Sequence, residues 1–121
     1  MDLFRIFRRG EAKPGVVTTS AQQAYEALQA DKRARIVDVR EPREWAATGV
    51  PQKAVRLSLG DLARKARQKL PGDGPVYVIC ASGHRSRNGA KILLGLGYTQ
   101  VFSVSGGLQA WKQAGLPVKK S

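Results

Sequence analysis

The sequence VYVICASGHRS, residues 76–86, joins an apolar run to a short polar loop and contains the only cysteine of the chain. Residues 76–79 are β-branched or aromatic and follow turn residues, a pattern that predicts a buried strand. Cys80 ends this strand, and a helix is predicted over residues 87–96, opened by Ser86. Because open α/β sheets hold their ligands at the carboxyl ends of strands, this stretch predicts both the centre of a sheet and a functional site.

Cys80 is the candidate nucleophile. A lone cysteine is more often a small buried apolar residue than a catalyst. Here, however, the loop that follows has no bulky apolar side chain, contains the cation Arg85 and leads into a predicted helix. Loop amides, a helix N-terminus and a guanidinium all favour thiolate over thiol. The sequence therefore favours a reactive thiolate surrounded by backbone N–H groups.

Composition limits the other functions. With 42% hydrophobic residues, 121 residues suffice for one hydrophobic core. The net charge of +12 attracts anions in general, but the basic residues are dispersed and no aromatic residues lie between them, so nucleic acid is not an expected partner. One cysteine excludes an internal disulfide, and one cysteine with one histidine does not predict a metal site. No cofactor is expected, and the free thiol suits a reducing compartment, the cytoplasm.

The chain is predicted to comprise a basic N-terminal extension, residues 1–15, and one domain, residues 16–121. The first nine residues alternate apolar and basic side chains and are too short for a signal peptide. They could contact an acidic membrane surface weakly, although a frayed tail is the simpler interpretation. No apolar stretch approaches the roughly 20 residues that span a bilayer.

Strand patterns alternate with helical patterns along the domain. Strands are predicted near residues 16–17, 36–39, 55–57 and 76–79 and within 98–104, and helices near 20–30, 42–48, 58–70, 87–96 and 107–114. This alternation is typical of a parallel sheet covered on both faces. The predicted fold class is therefore α/β, with three layers, a central, mostly parallel five-stranded sheet, and helices on both of its faces.

Three segments, in order, resemble the single-domain rhodanese-like sulfurtransferases. The sequence CASGHRS, 80–86, fits the family's C-x-x-G-x-R-S active-site loop. The sequence IVDVREPREW, 36–45, resembles its D-x-R-x-x-x-E-[FYW] stretch, and GGLQAWKQAGLPV, 106–118, resembles its closing G-G-x-x-A-W-x-x-A-G-x-P-V. One segment departs from the family: TGVPQKA, 48–54, stands where G-H-I-P-G-A is common, so a histidine is absent and the turn is longer.

The resemblance implies a sulfurtransferase that takes a sulfane sulfur from a small anionic donor such as thiosulfate. Cys80 would hold it as a persulfide and pass it to cyanide or a thiol, or to a protein partner in a sulfur relay. The catalytic residues implied are Cys80 and Arg85, the latter of which would contribute charge at the site and brace the loop. Arg40 is expected to pair with Glu44 or Asp38. The loop residues implied in binding are Ala81, Ser82, Gly83, His84 and Ser86, and the supporting residues are Asp38, Arg40 and Glu44.

Two other functions stay open on the sequence. The related dual-specificity phosphatases of the cell-cycle class place one more residue between Cys and Arg than the four found between Cys80 and Arg85, which makes a wider pocket. A non-catalytic binding or relay module would keep the fold with slow turnover. His84 either helps to handle protons or is an exposed loop residue without a catalytic role. Ala81 and Ser82 stand where thiosulfate-preferring members often carry cations, so the donor's identity also stays open.

Overall fold

The computed structural model describes residues 16–120 and contains a five-stranded sheet in which all strand pairs are parallel. The strands, in spatial order, are β1 (Val17–Thr19), β6 (Val101–Val104), β5 (Val76–Ile79), β2 (Arg35–Asp38) and β4 (Val55–Arg56). Two short strands, β3 (Val50–Pro51) and β7 (Val118–Lys119), form a separate antiparallel pair. The predicted α/β class is confirmed. The predicted extension, residues 1–15, lies outside the described residues.

Five helices connect the strands and cover both faces of the sheet: α1 (Ala21–Ala30), α2 (Pro42–Thr48), α3 (Leu59–Lys69), α4 (His84–Gly95) and α5 (Gly107–Gln113). The inner side chains of α3 and α4 pack on one face and those of α1 and α5 on the other, so the core has two layers. None of the helices within residues 16–120 has the length and apolar character to cross a membrane.

Strand β5 lies in the middle of the sheet, between β6 and β2. All four of its residues are buried, which is why it reads as a continuous apolar run rather than an alternating one. Val76 and Val78 face α3 and α4, whereas Tyr77 and Ile79 face α1 and α5. Cys80 continues the first of these rows. The loop after β5 therefore begins at the centre of the carboxyl edge, with the ends of β2 and β6 on either side.

The start of α4 differs from the prediction. The helix begins at His84, not after Ser86, because Gly83 adopts a left-handed conformation with φ +117° and turns the chain directly into the helix. His84, Arg85 and Ser86 therefore form the first turn of α4 rather than the end of a loop. Elsewhere the predicted helices agree with the structure to within a residue or two, and the last strand begins at Val101, later than the apolar pattern indicated.

Candidate active site

Cys80 directly follows β5, and 1% of the residue's surface is exposed. Its Sγ accepts a hydrogen bond of 3.0 Å from the backbone N–H of Gly83, and this is the sulfur's one hydrogen bond within residues 16–120. The sequence predicted a ring of amides around the sulfur, and in the free thiol one of these amides, that of Gly83, is hydrogen-bonded to it.

Other backbone donors of the same loop are unsatisfied. The first N–H groups of an α-helix have no intrahelical acceptor, and here α4 begins at His84. Among residues 16–120, no acceptor is bound by the N–H groups of Ala81, Ser82, His84, Arg85 and Ser86. These donors follow directly on Cys80 and can bind an anion at this loop.

The first turn of α5 holds the loop by hydrogen bonds to its backbone. The backbone N–H of Leu108 donates to the carbonyl oxygen of Cys80 at 2.7 Å, and that of Gln109 donates to Ala81 at 3.2 Å. Gly107 makes this approach possible: its φ is +57°, and a Cβ there would lie 2.5 Å from the carbonyl carbon of Ala81. Gly106 and Gly107 belong to the closing motif of the sequence, but nothing in that motif indicates that the second glycine lies against the backbone of Cys80 and Ala81.

Ser86 ties the same loop to the sheet. Its hydroxyl donates to the carbonyl oxygen of Gly83 at 3.1 Å and lies 2.7 Å from the hydroxyl of Ser103 on β6. Both serines are buried, with 0% and 1% of their surfaces exposed. The Ser86 side chain is therefore occupied in holding the loop, and only its N–H is available to a ligand. Ser103 carried no sequence signal, because its role depends on a contact between distant segments.

Arg85 points to α2 and pairs with Glu44. Its Nη1 and Nη2 lie 2.7 and 2.9 Å from the two carboxylate oxygens, a bidentate arrangement. These hydrogen bonds lower the pKa of Glu44 to about 2. The same contact raises the pKa of Arg85 above its ordinary value. Glu44 also accepts the N–H of Glu41, which caps the N-terminus of α2.

The partner of Arg40 is Asp38, one of the two predicted alternatives. The Nη2 of Arg40 lies 2.9 Å from Asp38 Oδ2, and both side chains are buried. The guanidinium also donates to Thr48 Oγ1 at 2.8 Å and to the carbonyl oxygen of Gly49 at 2.7 Å. It meets Glu44 through that residue's backbone oxygen and not through its carboxylate. This cation therefore joins the end of β2 to the end of α2 and has no contact with Cys80.

His84 is exposed at the start of α4, and its side chain has no hydrogen-bond partner in the described part of the chain. For His84 to transfer a proton in the reaction, its side chain would need such a partner or a bound substrate. The site thus brings together Cys80, the loop amides, Arg85 and Glu44, while Asp38 and Arg40 act one step away, through α2.

A cleft of about 370 Å³ opens beside the loop, between α2 and α5, and reaches Ala81 and Ser82. A larger cavity, about 490 Å³, lies against Tyr25, Arg35 and Trp111, where β2 begins. Parallel sheets carry their ligands at the carboxyl ends of the strands, so position rather than size marks the cleft beside the loop as the substrate side.

Comparison with known proteins agrees with this geometry. The family model described as "Rhodanese-like domain" matches residues 20–114. The thiosulfate sulfurtransferase GlpE of Actinobacillus pleuropneumoniae serotype 3 (strain JL03) is 35% identical over 100 residues, which are 83% of this chain and 90% of that protein.

Two solved structures are similar over most of their length. A rhodanese-related protein from Thermoplasma volcanium superimposes with a TM-score of 0.75 at 31% identity, covering 87% of this chain and 99% of the other. The polysulfide-sulfur transferase homodimer from Wolinella succinogenes gives a TM-score of 0.75 at 31% identity, covering 86% of this chain and 78% of the other.

Proposed function

The chain belongs to the rhodanese-like domain family and is a sulfurtransferase, and from this premise we propose that Cys80 carries the transferred sulfur as a persulfide. The donor is a sulfane compound such as thiosulfate, and the acceptor is cyanide or a thiol. The observation that supports this most is the hydrogen bond from the Gly83 N–H to Cys80 Sγ, next to loop amides that have no acceptor within residues 16–120.

The reaction is a double displacement. The Cys80 thiolate attacks the outer sulfur of thiosulfate, the S–S bond breaks, and sulfite leaves with the bonding electron pair. An acceptor nucleophile then attacks the outer sulfur of the persulfide, and the electron pair of the breaking bond returns to Cys80 Sγ. A covalent intermediate divides one difficult transfer into two easier ones. The unsatisfied loop amides stabilise negative charge on the outer sulfur in both steps, as an oxyanion hole does.

The burial of Cys80 also agrees with the alternative that it is only a core residue. The backbone around it argues for the reactive assignment. Several N–H groups of this loop have no acceptor within residues 16–120, and such a set of donors beside a thiol is suited to an anion. A purely structural cysteine needs neither this loop nor the two hydrogen bonds that α5 donates to its carbonyl side.

Sulfur transfer is favoured over phosphate hydrolysis by Arg85. Four residues separate it from Cys80, and its guanidinium is held by both oxygens of Glu44. A phosphatase uses this arginine to bind the substrate's phosphate oxygens. Here the arginine holds the loop against α2, so Arg85 is assigned to positioning the loop and to the positive potential of the site.

The donor and partners follow from charge. The net charge of +12 attracts a dianion, so thiosulfate serves as an assay donor even though Ala81 and Ser82 supply no cation. A protein persulfide is the alternative donor, and a protein thiol the alternative acceptor. The free thiol suits a reducing cytoplasm.

Mass spectrometry of the intact protein tests the proposal. After incubation with thiosulfate, the protein gains the mass of one sulfur atom, and cyanide removes it. The variant Cys80→Ser gains nothing, whereas the control Lys69→Met, in the last turn of α3, gains the sulfur as the wild type does. The proposal is wrong if the wild type gains no mass, or if it hydrolyses an aryl phosphate faster than it transfers sulfur.

A further inference from the structure

The cleft between α2 and α5 has apolar walls and a polar rim. Ala47, Ala81 and Leu108 supply apolar lining, and Ser82, Gln109 and Lys112, which are all exposed, supply polar lining. Clefts that bind small molecules have volumes of about 300–1,000 Å³, and this one, at about 370 Å³, falls at the lower end of that range. The cleft is therefore the right size for a low-molecular-weight ligand and begins at the two residues that follow the nucleophile.

Of the charged groups that line this cleft, one cation is unpaired. Arg40 is held by Asp38, and the carboxylate of Glu44 is held by Arg85. The ammonium of Lys112 has neither an ion-pair partner nor a hydrogen bond within residues 16–120, and its side chain is exposed. The cleft thus offers an incoming ligand one free positive charge and no free negative charge.

The position of Lys112 along α5 sets its distance from the reacting sulfur. Leu108 and Gln109 hold the carbonyl groups of Cys80 and Ala81. Lys112 follows them by four and three residues, so it lies on the same face of the helix, about 5 Å further along the axis. A ligand that reaches both the loop and this ammonium must therefore be longer than one or two bonds.

We propose that this cleft binds the sulfur acceptor, a low-molecular-weight thiol that carries a carboxylate several bonds from its sulfur, and that Lys112 selects for the carboxylate. The inference rests on the proposed function. The acceptor thiolate attacks the outer sulfur of the Cys80 persulfide and forms a new S–S bond. The bond to Cys80 breaks with its electron pair going to Sγ, so the acceptor leaves as a persulfide and the thiolate is regenerated.

Thiosulfate fits this cleft less well than such a thiol does. Its charged oxygens are two bonds from the outer sulfur that is attacked, so its charge must lie at the loop amides rather than a helical turn away. It would also leave most of the apolar wall uncovered, and apolar surface is buried favourably by methylene groups. The cleft and its lysine are therefore assigned to the second step of the reaction, not the first.

The experiment compares a matched pair of acceptors, 3-mercaptopropionate and 3-mercaptopropionamide, with thiosulfate as donor. In Lys112→Met, kcat/KM for the acid falls about fivefold relative to kcat/KM for the amide, as expected when one ion pair at an exposed rim is lost. Lys112→Arg retains the preference for the acid. The control Lys69→Met, which removes the same charge from the last turn of α3, leaves the ratio at the wild-type value.

Three results would overturn the inference: an unchanged ratio in Lys112→Met, an equal change in Lys69→Met, or a rise in KM for thiosulfate without a change in the ratio. Cyanide turnover separates this inference from the proposed function. If the wild-type protein transfers no sulfur to cyanide, the persulfide proposal fails. If it transfers sulfur to cyanide and to both thiols while Lys112→Met leaves the ratio unchanged, only the assignment of the cleft fails.

Discussion

Two guanidinium–carboxylate pairs hold helix α2, and they differ mainly in exposure. The guanidinium of Arg40, paired with Asp38, reaches the C-terminal end of α2, and 2% and 0% of the two side chains are exposed. Arg85 and Glu44 meet at its first turn with 35% and 27% exposed. The chemistry of the two pairs is the same, but a buried ion cannot be rehydrated when its partner is lost, whereas a half-exposed one can. The comparison therefore predicts that one pair governs folding and the other governs the loop.

Removing one member of the buried pair has the largest expected effect. In Arg40→Met, Asp38 keeps a buried charge without its partner, and Thr48 and Gly49 each lose a hydrogen bond. The free energy of unfolding falls by about 3–5 kcal/mol, measured by urea denaturation. The double variant Asp38→Asn with Arg40→Met recovers part of that loss, because no unpaired charge remains. Equal stabilities of the single and double variants would contradict this account of the pair.

Breaking the half-exposed pair has a smaller effect on stability and a larger one on activity. Glu44→Gln leaves one hydrogen bond to Arg85 and removes the charge, so the free energy of unfolding falls by about 1 kcal/mol after allowance for solvent screening. Arg85 is then held to α2 by one hydrogen bond instead of a bidentate ion pair, and because small misplacements of reacting groups are costly, the rate of persulfide formation falls about tenfold. Stopped reactions analysed by mass spectrometry measure that rate. A stability loss as large as that of Arg40→Met would remove the distinction between the pairs.

The two pairs also show which parts of the site could be predicted. The strand ending in Cys80 was predictable because a buried central strand has a continuous apolar run, and the helices were predictable from their periodicity. The partner of Arg40 was narrowed to Asp38 or Glu44 but not chosen, since both lie within four residues of it. Glu44 is taken by Arg85, 41 residues further along the chain, and no local pattern indicates that contact.

Close contacts between backbone segments were the least predictable feature of the site. Helix α4 begins three residues before its predicted start, because the left-handed conformation of Gly83 lets the helix follow at once. Helix propensities do not indicate that conformation. Gly107 lies against the backbone of Cys80 and Ala81, 26 or more residues away, although the pair Gly106 and Gly107 has the sequence of an ordinary turn. Glycine patterns indicate that the chain bends, but the tertiary structure decides what it bends against.

The stability that the Arg85–Glu44 pair contributes is expected to depend on pH through the carboxylate of Glu44. Its pKa is about 2 in the folded protein, against an ordinary value of 4.5. A carboxylate whose folded pKa is lowered contributes stability that is fully present above the unfolded value and is lost as the pH falls through the folded value. We expect Glu44→Gln to differ from the wild type above pH 4.5 and to converge with it as the pH approaches 2. Denaturation curves across that range test this, and a constant difference would assign the effect to shape rather than charge.

A third, more exposed ion pair is expected to contribute least to the free energy of unfolding. Arg64 and Asp61 on α3 lie 2.8 Å apart, as close as the pairs on α2, but 64% and 41% of their side chains are exposed. Water solvates both ions when the pair is broken, so Arg64→Ala changes the free energy of unfolding by about 0.5 kcal/mol or less. Persulfide formation stays at the wild-type rate, because within residues 16–120 neither Arg64 nor Asp61 forms a hydrogen bond or ion pair with Arg85. Distance is thus held nearly constant across the three pairs while exposure rises, and the stability loss should fall in the same order. If Arg64→Ala were as destabilising as Glu44→Gln, contact distance and not burial would set the strength of these pairs.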